Sequence, residues 1–210
     1  METEVNKAAT ETLKTIYERR AVRKYLSDAI DDELLEKVLD AGRMAPSAMN
    51  SQLWKFYILT HQDTISEFSK AIAKIAFKST VKSSLKHPLV TIKTLLHTTP
   101  ELLHIDKEDP IFHGAPVVIF ITSPKNYEWA GLDVGMCAEN MMLAAKSLGL
   151  DTCPVGLAKY AEQTPILHKL EIPHSEEIQL AVLIGYGNEA PEVHPRVKNN
   201  AIFIDRMECC

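Results

Sequence analysis

YEWAGLDVGMCAENMMLAAKSLGLDTCPVGL, Tyr127–Leu157, is the segment around which the rest of the chain can be arranged. Its first two thirds have the spacing of one long helix that is apolar almost all the way round. Asp133, Asn140 and Ser147 fall on one narrow row and Glu128, Glu139 and Lys146 on another, so most of what remains is expected to face protein. Charges interrupt the segment too often for a membrane span, which needs about 20 predominantly apolar residues. Gly131, Gly135, Ala138 and Ala145, with Met142 the one large member, form a third row along which a second helix is expected to approach closely. Gly149 ends the helix, and Leu150–Val155 reads as short and extended. Pro154-Val155-Gly156 then forms a loop whose backbone N–H groups are placed to face a cavity, a place for a flat ligand. A core helix with a glycine cap and a tight turn is the plainer account, since most buried helices only pack.

The chain has 210 residues, enough for one domain with a sizeable core, and its 46% apolar and 24% charged content is that of an ordinary globular protein. A net charge of -5 argues against nucleic acid as a partner, because phosphate backbones select basic surfaces. The first twenty residues are polar and carry no leader pattern, and Cys137, Cys153, Cys209 and Cys210 lack a zinc or C-x-x-C spacing. Reduced thiols in a cytoplasmic protein, with no membrane partner, are the expectation. The Cys209-Cys210 pair reads as an idle terminus, with redox activity or lipid modification as the alternatives.

Upstream, Thr10–Arg19 is spaced as a helix with Leu13, Ile16 and Tyr17 on one face. It runs into Arg19-Arg20-Ala21-Val22-Arg23-Lys24, in which the cations repel one another unless an anion or solvent relieves them. One reading is a solvated basic turn. The other is a phosphate clamp, since guanidinium forks match phosphate oxygens and each charge-assisted bond is worth about 1.5 to 3 kcal/mol. Asp31–Met44 is an amphipathic helix capped by Asp31 or Asp32, with Leu34, Leu35, Val38 and Leu39 inward. The loop Ala45–Trp54 is dense in small polar groups, Ser47, Asn50 and Gln52 among them, suited to the edge of a heterocycle or to turn chemistry alone.

Lys55–Thr60, Pro116–Thr122 and Ile178–Gly187 read as strands, the last two nearly continuous apolar runs that suit burial on both faces. Glu162–Leu170 reads as a helix with Pro165 in its first turn, and Ala201–Asp205 as a last strand after Arg196-Val197-Lys198. Lys70, Lys74, Lys78, Lys82 and Lys86 recur every fourth position within a stretch free of acidic residues. They form either a solvated face or an electropositive rim for a phosphorylated reductant. Residues from about 78 to 110 are expected to form a lid or insertion, and those from about 196 to 210 a C-terminal extension, on a single domain. No G-x-G-x-x-G, Walker loop, H-E-x-x-H or G-x-S-x-G occurs, so a Rossmann site, a P-loop, a zinc protease site and a serine elbow are not expected, and no metal site is proposed.

Several pieces in this order resemble the nitroreductase family of FMN-dependent NAD(P)H oxidoreductases. They are Arg19-Arg20-Ala21-Val22-Arg23, Ala45–Trp54, His113-Gly114-Ala115-Pro116, Asp133-Val134-Gly135 with Asn140–Ala145, Pro154-Val155-Gly156, and Ile184-Gly185-Tyr186-Gly187. The resemblance covers residues from about 12 to 198. It implies an α+β fold with a central, mostly antiparallel sheet flanked by helices, in an intertwined homodimer. Two FMN molecules would lie at the interface, and the C-terminal segment would swap across to the partner. It further implies that Arg19, Arg20 and Arg23, with Arg196 and Lys198, grip the FMN phosphate. Ala21 stands where the family commonly has serine, which removes one hydroxyl. Pro46, Ser47 and Asn50 would contact the flavin, the first two from the other subunit, and the backbone of Pro154, Val155, Gly156 and Leu157 would lie against the ring. The implied activity is hydride transfer from NADH or NADPH to flavin N5, followed by delivery of two electrons to a small acceptor, a nitroaromatic, quinone or enone, by a ping-pong sequence. No catalytic side chain is required. The alternatives are a non-catalytic FMN-binding or sensing module, and a dehalogenase-like or flavin-fragmenting relative.

Overall fold

The protein is described by a computed structural model that covers residues 4–84 and 109–204, with side chains over 10–79 and 109–204. The segment 85–108, which holds most of the expected lid together with Lys86, lies outside the described residues. Four strands form one sheet in the order β1-β2-β4-β3, every neighbouring pair antiparallel. They are β1 (Lys55–Leu59), β2 (Val117–Pro124), β3 (Asp151–Val155) and β4 (Glu176–Gly185).

β2 is buried along almost its whole length because helices cover both faces of the sheet. On one face, Val118, Phe120, Cys153, Val155, Ala181 and Leu183 pack against Ile65, Phe68, Ile72 and Ala73 of α3 (Gln62–Ser84) and against Ala158 and Ala161. On the other, Val117, Ile119, Ile121, Val182 and Ile184 pack against Val38 and Leu39 of α2 (Asp32–Arg43). The same face receives Val134, Cys137, Ala138, Met141, Met142 and Ala145 of α4 (Ala130–Ser147). The architecture is α+β, as expected, and the apolar runs of β2 and β4 are explained by this two-sided cover.

A bulge decides one end of the sheet. Ile121 pairs with Leu180 but Thr122 pairs with Ile178, so Gln179 is the extra residue on β4. The slip returns Ile178 to the face of Ala181 and Leu183, where strict alternation would have put it opposite them. Two positions further along, the Glu176 carboxylate is buried beside β1 and β2. It accepts hydrogen bonds from Thr122 Oγ1 at 2.7 Å and Tyr57 Oη at 3.0 Å and pairs with Lys55. Burial pushes its pKa up, but these donors outweigh burial and hold it below the usual carboxylate range.

α2 begins where its sequence places it: the Asp31 side chain accepts from the Glu33 N–H at 2.8 Å. α1 (Glu4–Glu18) ends directly before the arginines, with Leu13, Ile16 and Tyr17 all exposed in the single chain. Among the described residues no helix is long and apolar enough to cross a membrane.

Four expectations need correction. Glu162–Leu170 is not an α-helix: Gly156–Gln163 and Leu167–Leu170 are separate 3-10 turns. Pro165 brings no N–H to continue the ladder, and Thr164 folds back on the Ala161 carbonyl through both its N–H and its hydroxyl. Among the described residues Ala201–Ile204 forms no strand, and Ile202 is 85% exposed; a strand is made by ladder pairing, and this stretch is not one of the four paired strands. Asp205 lies outside the described residues. Asp133 does not belong to a solvent-facing row, being 2% exposed, because the loop before β1 folds over it. Nor, among the described residues, does another element pack on Gly131 or Gly135, although Ala138 and Ala145 of the same row are buried. A side chain at Gly131 or Gly135 would meet open space, whereas one at Gly42 of α2 would come within 2.7 Å of Met141 Cγ, so the glycine that permits close packing is on the other helix.

Candidate functional site

The arginine segment becomes an addition to the sheet edge. Ala21 bridges to Thr152 in the parallel sense and Tyr25 to Gly187 in the antiparallel sense. Val22 donates its N–H to the Thr152 carbonyl at 3.0 Å, Leu26 to Tyr186 O at 2.8 Å, and the Asn188 N–H returns a bond to Lys24 O at 2.8 Å. With Val22 2% exposed as a peg, the cations on either side are carried on a rigid strip rather than on a solvated turn.

That strip is short of acceptors. Among the described residues, the buried side-chain N and O atoms without a hydrogen bond are Arg19 Nε, Arg20 Nε, Tyr25 Oη and Thr152 Oγ1. All four lie on the strip or on its bridge partner. Arg19 Nε stands 3.3 Å from Glu139 Oε1 of α4, an ion pair without hydrogen-bond alignment. Arg20 turns one terminal nitrogen onto the Arg19 carbonyl, and the Arg23 N–H donates to Glu189 Oε1. Burial, then the nearby Cys153, Asp151 and Glu189, pushes the Tyr25 phenol far above its ordinary value, so it stays a neutral hydroxyl. Unsatisfied buried polar groups each cost about 1 to 3 kcal/mol, and native proteins carry few. All four are groups that the oxygens of a ligand could complete.

At its other end β3 passes into the 3-10 turn at Gly156. Val155 is buried, Pro154 and Gly156 are exposed, and Leu157 is half-buried. A side chain added at Gly156 would meet nothing within 4 Å, and no side chain caps the turn. The first N–H groups of such a turn have no partner within it.

A third piece is the loop before β1. Met49, Asn50 and Gln52 all have left-handed φ values, 54°, 53° and 49°. Its polar residues bond one another: Asn50 N–H to Ser47 O, Gln52 N–H to Ser47 Oγ, and Gln52 Nε2 to Asn50 Oδ1. Pro46 and Asn50 are exposed and Ser47 half-buried. Arg196 and Lys198 lie on an exposed extended segment, where Arg196 donates to the His194 carbonyl. The single chain therefore joins Arg19, Arg20, Ala21 and Arg23 to β3, and presents the two loops outward.

Sequence reasoning did not assign roles to Thr152, Tyr25, Glu139, Tyr127 or Asp133. The one signal was an acidic residue in the first turn of an otherwise apolar helix, which is where Asp133 sits.

A four-stranded antiparallel sheet between two helical layers, with a cationic strip sewn to one edge strand, defines an α+β protein. The chain belongs to the nitroreductase family, whose model matches residues 16–186. Among curated proteins it is 31% identical over 199 residues to a 4-nitrobenzoate reductase of Pseudomonas putida, covering 84% of this chain and 85% of that one. It is 27% identical over 218 residues to a nitrobenzene nitroreductase of Ectopseudomonas oleovorans, with 92% and 91% covered. Among solved structures, a nitroreductase with bound FMN from Bacteroides fragilis superposes with a TM-score of 0.74 at 28% identity, over 92% of this chain and 98% of that one.

Proposed function

We propose that this protein is an FMN-dependent oxidoreductase drawing on NADH or NADPH, active as a homodimer in the cytoplasm. The observation that carries the proposal is the gathering of buried side-chain atoms without a hydrogen bond, Arg19 Nε, Arg20 Nε, Tyr25 Oη and Thr152 Oγ1. FMN fits this strip because its phosphate brings acceptor oxygens that two guanidinium groups and the Arg23 cation would satisfy. Bound FMN would supply the redox chemistry, acceptance of hydride from NADH or NADPH and delivery of two electrons to a nitroaromatic, quinone or enone in a ping-pong sequence.

The chain's own part is to bind and orient. Arg19, Arg20 and Arg23 hold the phosphate, and Ala21, pinned to Thr152, keeps the strip straight. The backbone of Pro154, Val155, Gly156 and Leu157 lies against the ring; Pro154 has no N–H to give, and the N–H dipoles at Gly156 and Leu157 favour negative charge there without reorganising. Pro46, Ser47 and Asn50 contact the flavin, the first two from the other subunit. Arg196 and Lys198 reach the partner's phosphate through the extended tail. The exposed Leu13, Ile16 and Tyr17 of α1 and Ile202 and Phe203 of the tail form an apolar surface that a partner chain would cover.

The test is direct. The purified protein is expected to be yellow, to release FMN on denaturation, and to bleach anaerobically with NADH or NADPH and regain colour with a nitroaromatic or quinone. A full flavin load that no nicotinamide bleaches would refute the enzymatic reading, and a chain that takes up no FMN would refute the cofactor.

A further inference from the structure

We propose that Asp133 is a positioning residue, acting through Ala48 and Tyr127 to hold the loop Pro46–Asn50 in the shape that meets the flavin; the inference rests on the flavin reading above. Its carboxylate, in the first turn of α4, is 2% exposed. Both oxygens face the Ala48 N–H, at 3.1 and 3.3 Å, and Oδ2 also accepts from Tyr127 Oη at 2.7 Å. Tyr127 Oη in turn lies 2.8 Å from Ser51 Oγ. Since the phenol donates to Asp133, the serine donates to the phenol. One buried carboxylate thus fastens both ends of the turn Ala48–Ser51, at residues 85 and 82 positions away from it in sequence.

The turn needs such a fastening. Met49 and Asn50 at its centre and Gln52 just beyond carry side chains in the left-handed region, which residues other than glycine rarely occupy unless their surroundings over-determine it. The bonds inside the loop run among its own members and do not tie it to the body. Met49 at the tip is 90% exposed, so its own side chain does not hold its left-handed backbone by packing. Asp133 is the connection to the body, and a carboxylate suits it because it can accept from the N–H and the phenol together without needing to donate. Its neighbours on α4, Val134 and Cys137, point into the core.

The experiment measures FMN affinity by fluorescence quenching, together with the visible spectrum of the bound flavin, in wild type, Asp133→Asn, Tyr127→Phe and Tyr127→Phe/Met49→Gly. Asp133→Asn and Tyr127→Phe are expected to raise the Kd for FMN at least tenfold and to shift the flavin absorption bands. Met49→Gly in the Tyr127→Phe background is expected to recover at least a third of that loss, since glycine takes φ near 54° without penalty. A role confined to the stability of α4 would give no such rescue. Should Asp133→Asn fail to fold, the Tyr127 pair still decides. Variants that bind FMN as wild type does, or a loss that Met49→Gly leaves unchanged, overturn the inference while the flavin reading stands. A wild-type chain that takes up no FMN overturns both.

Discussion

Val22 and Thr152 are joined main chain to main chain, N–H to carbonyl at 3.0 Å, and that bond makes the arginine segment part of the sheet rather than a tail beside it. The cations therefore have little freedom left to lose when an anion arrives, and preorganisation of this kind converts directly into affinity.

Arg20→Ala and Arg23→Ala are each expected to raise the Kd for FMN by tenfold or more, and together to give nearly colourless protein. Arg20→Lys keeps the charge but not the fork and should fall between wild type and Arg20→Ala. Flavin content per chain after gel filtration is the measurement; full retention in the double variant would remove the clamp assignment.

Glu139 competes with any anion for Arg19, its Oε1 being 3.3 Å from Arg19 Nε. The pair is partly solvent-exposed and contributes little to stability. Glu139→Gln should leave the melting temperature nearly unchanged and tighten FMN several-fold. Titration at two salt concentrations checks this, since the gain should shrink as ionic strength rises.

Glu176 ties β4 to β1 and β2, and Glu176→Gln should cost about 1 to 3 kcal/mol at neutral pH by breaking a buried, charge-assisted network. The sign of the pH dependence follows from the direction of its shift. Because the folded pKa is depressed, the stabilisation is present above the ordinary carboxylate pKa of about 4.3. It is lost as pH falls through the still lower folded value. Urea midpoints of wild type and variant should converge in acid and stay apart above about pH 5.

Two glycines should respond differently to alanine. At Gly185 the new Cβ would come within 2.7 Å of both Pro116 Cδ and Tyr25 Cδ1, atoms of rigid rings, so Gly185→Ala should destabilise by about 1 to 3 kcal/mol. At Gly42 the closest atom is Met141 Cγ at 2.7 Å, near the root of a fully buried side chain, with Cys137 Sγ at 3.2 Å. Gly42→Ala should therefore also destabilise, but by less, because the gain of about 1 kcal/mol in helix propensity offsets part of the overpacking. Thermal denaturation of the two variants ranks them.

Removal of residues 196–210 should shift the protein from dimer to monomer in sedimentation experiments and reduce flavin content. The apolar tail residues from Val197 to Ile204 are exposed on one chain and have more to gain from a partner than from water.

The sequence by itself determined the elements whose signal is local. Apolar runs placed β2 and β4, Asp31 announced the start of α2, and the order of short motifs identified the family. It also marked Arg19, Arg20 and Arg23 and the Pro154-Val155-Gly156 turn, because charge density and proline-glycine chemistry are written in neighbouring residues. Tertiary structure alone decided the rest. Whether the arginine run is a solvated turn or an edge strip depends on Thr152, some 130 residues away. Asp133 looked like one member of a polar row until the loop from Pro46 to Ser51 was laid over it, and the Gln179 bulge that carries Glu176 inward is visible only in the pairing of two strands. Period and propensity act over one or two helical turns, whereas burial and the completion of hydrogen bonds are settled between segments that meet only in the folded chain.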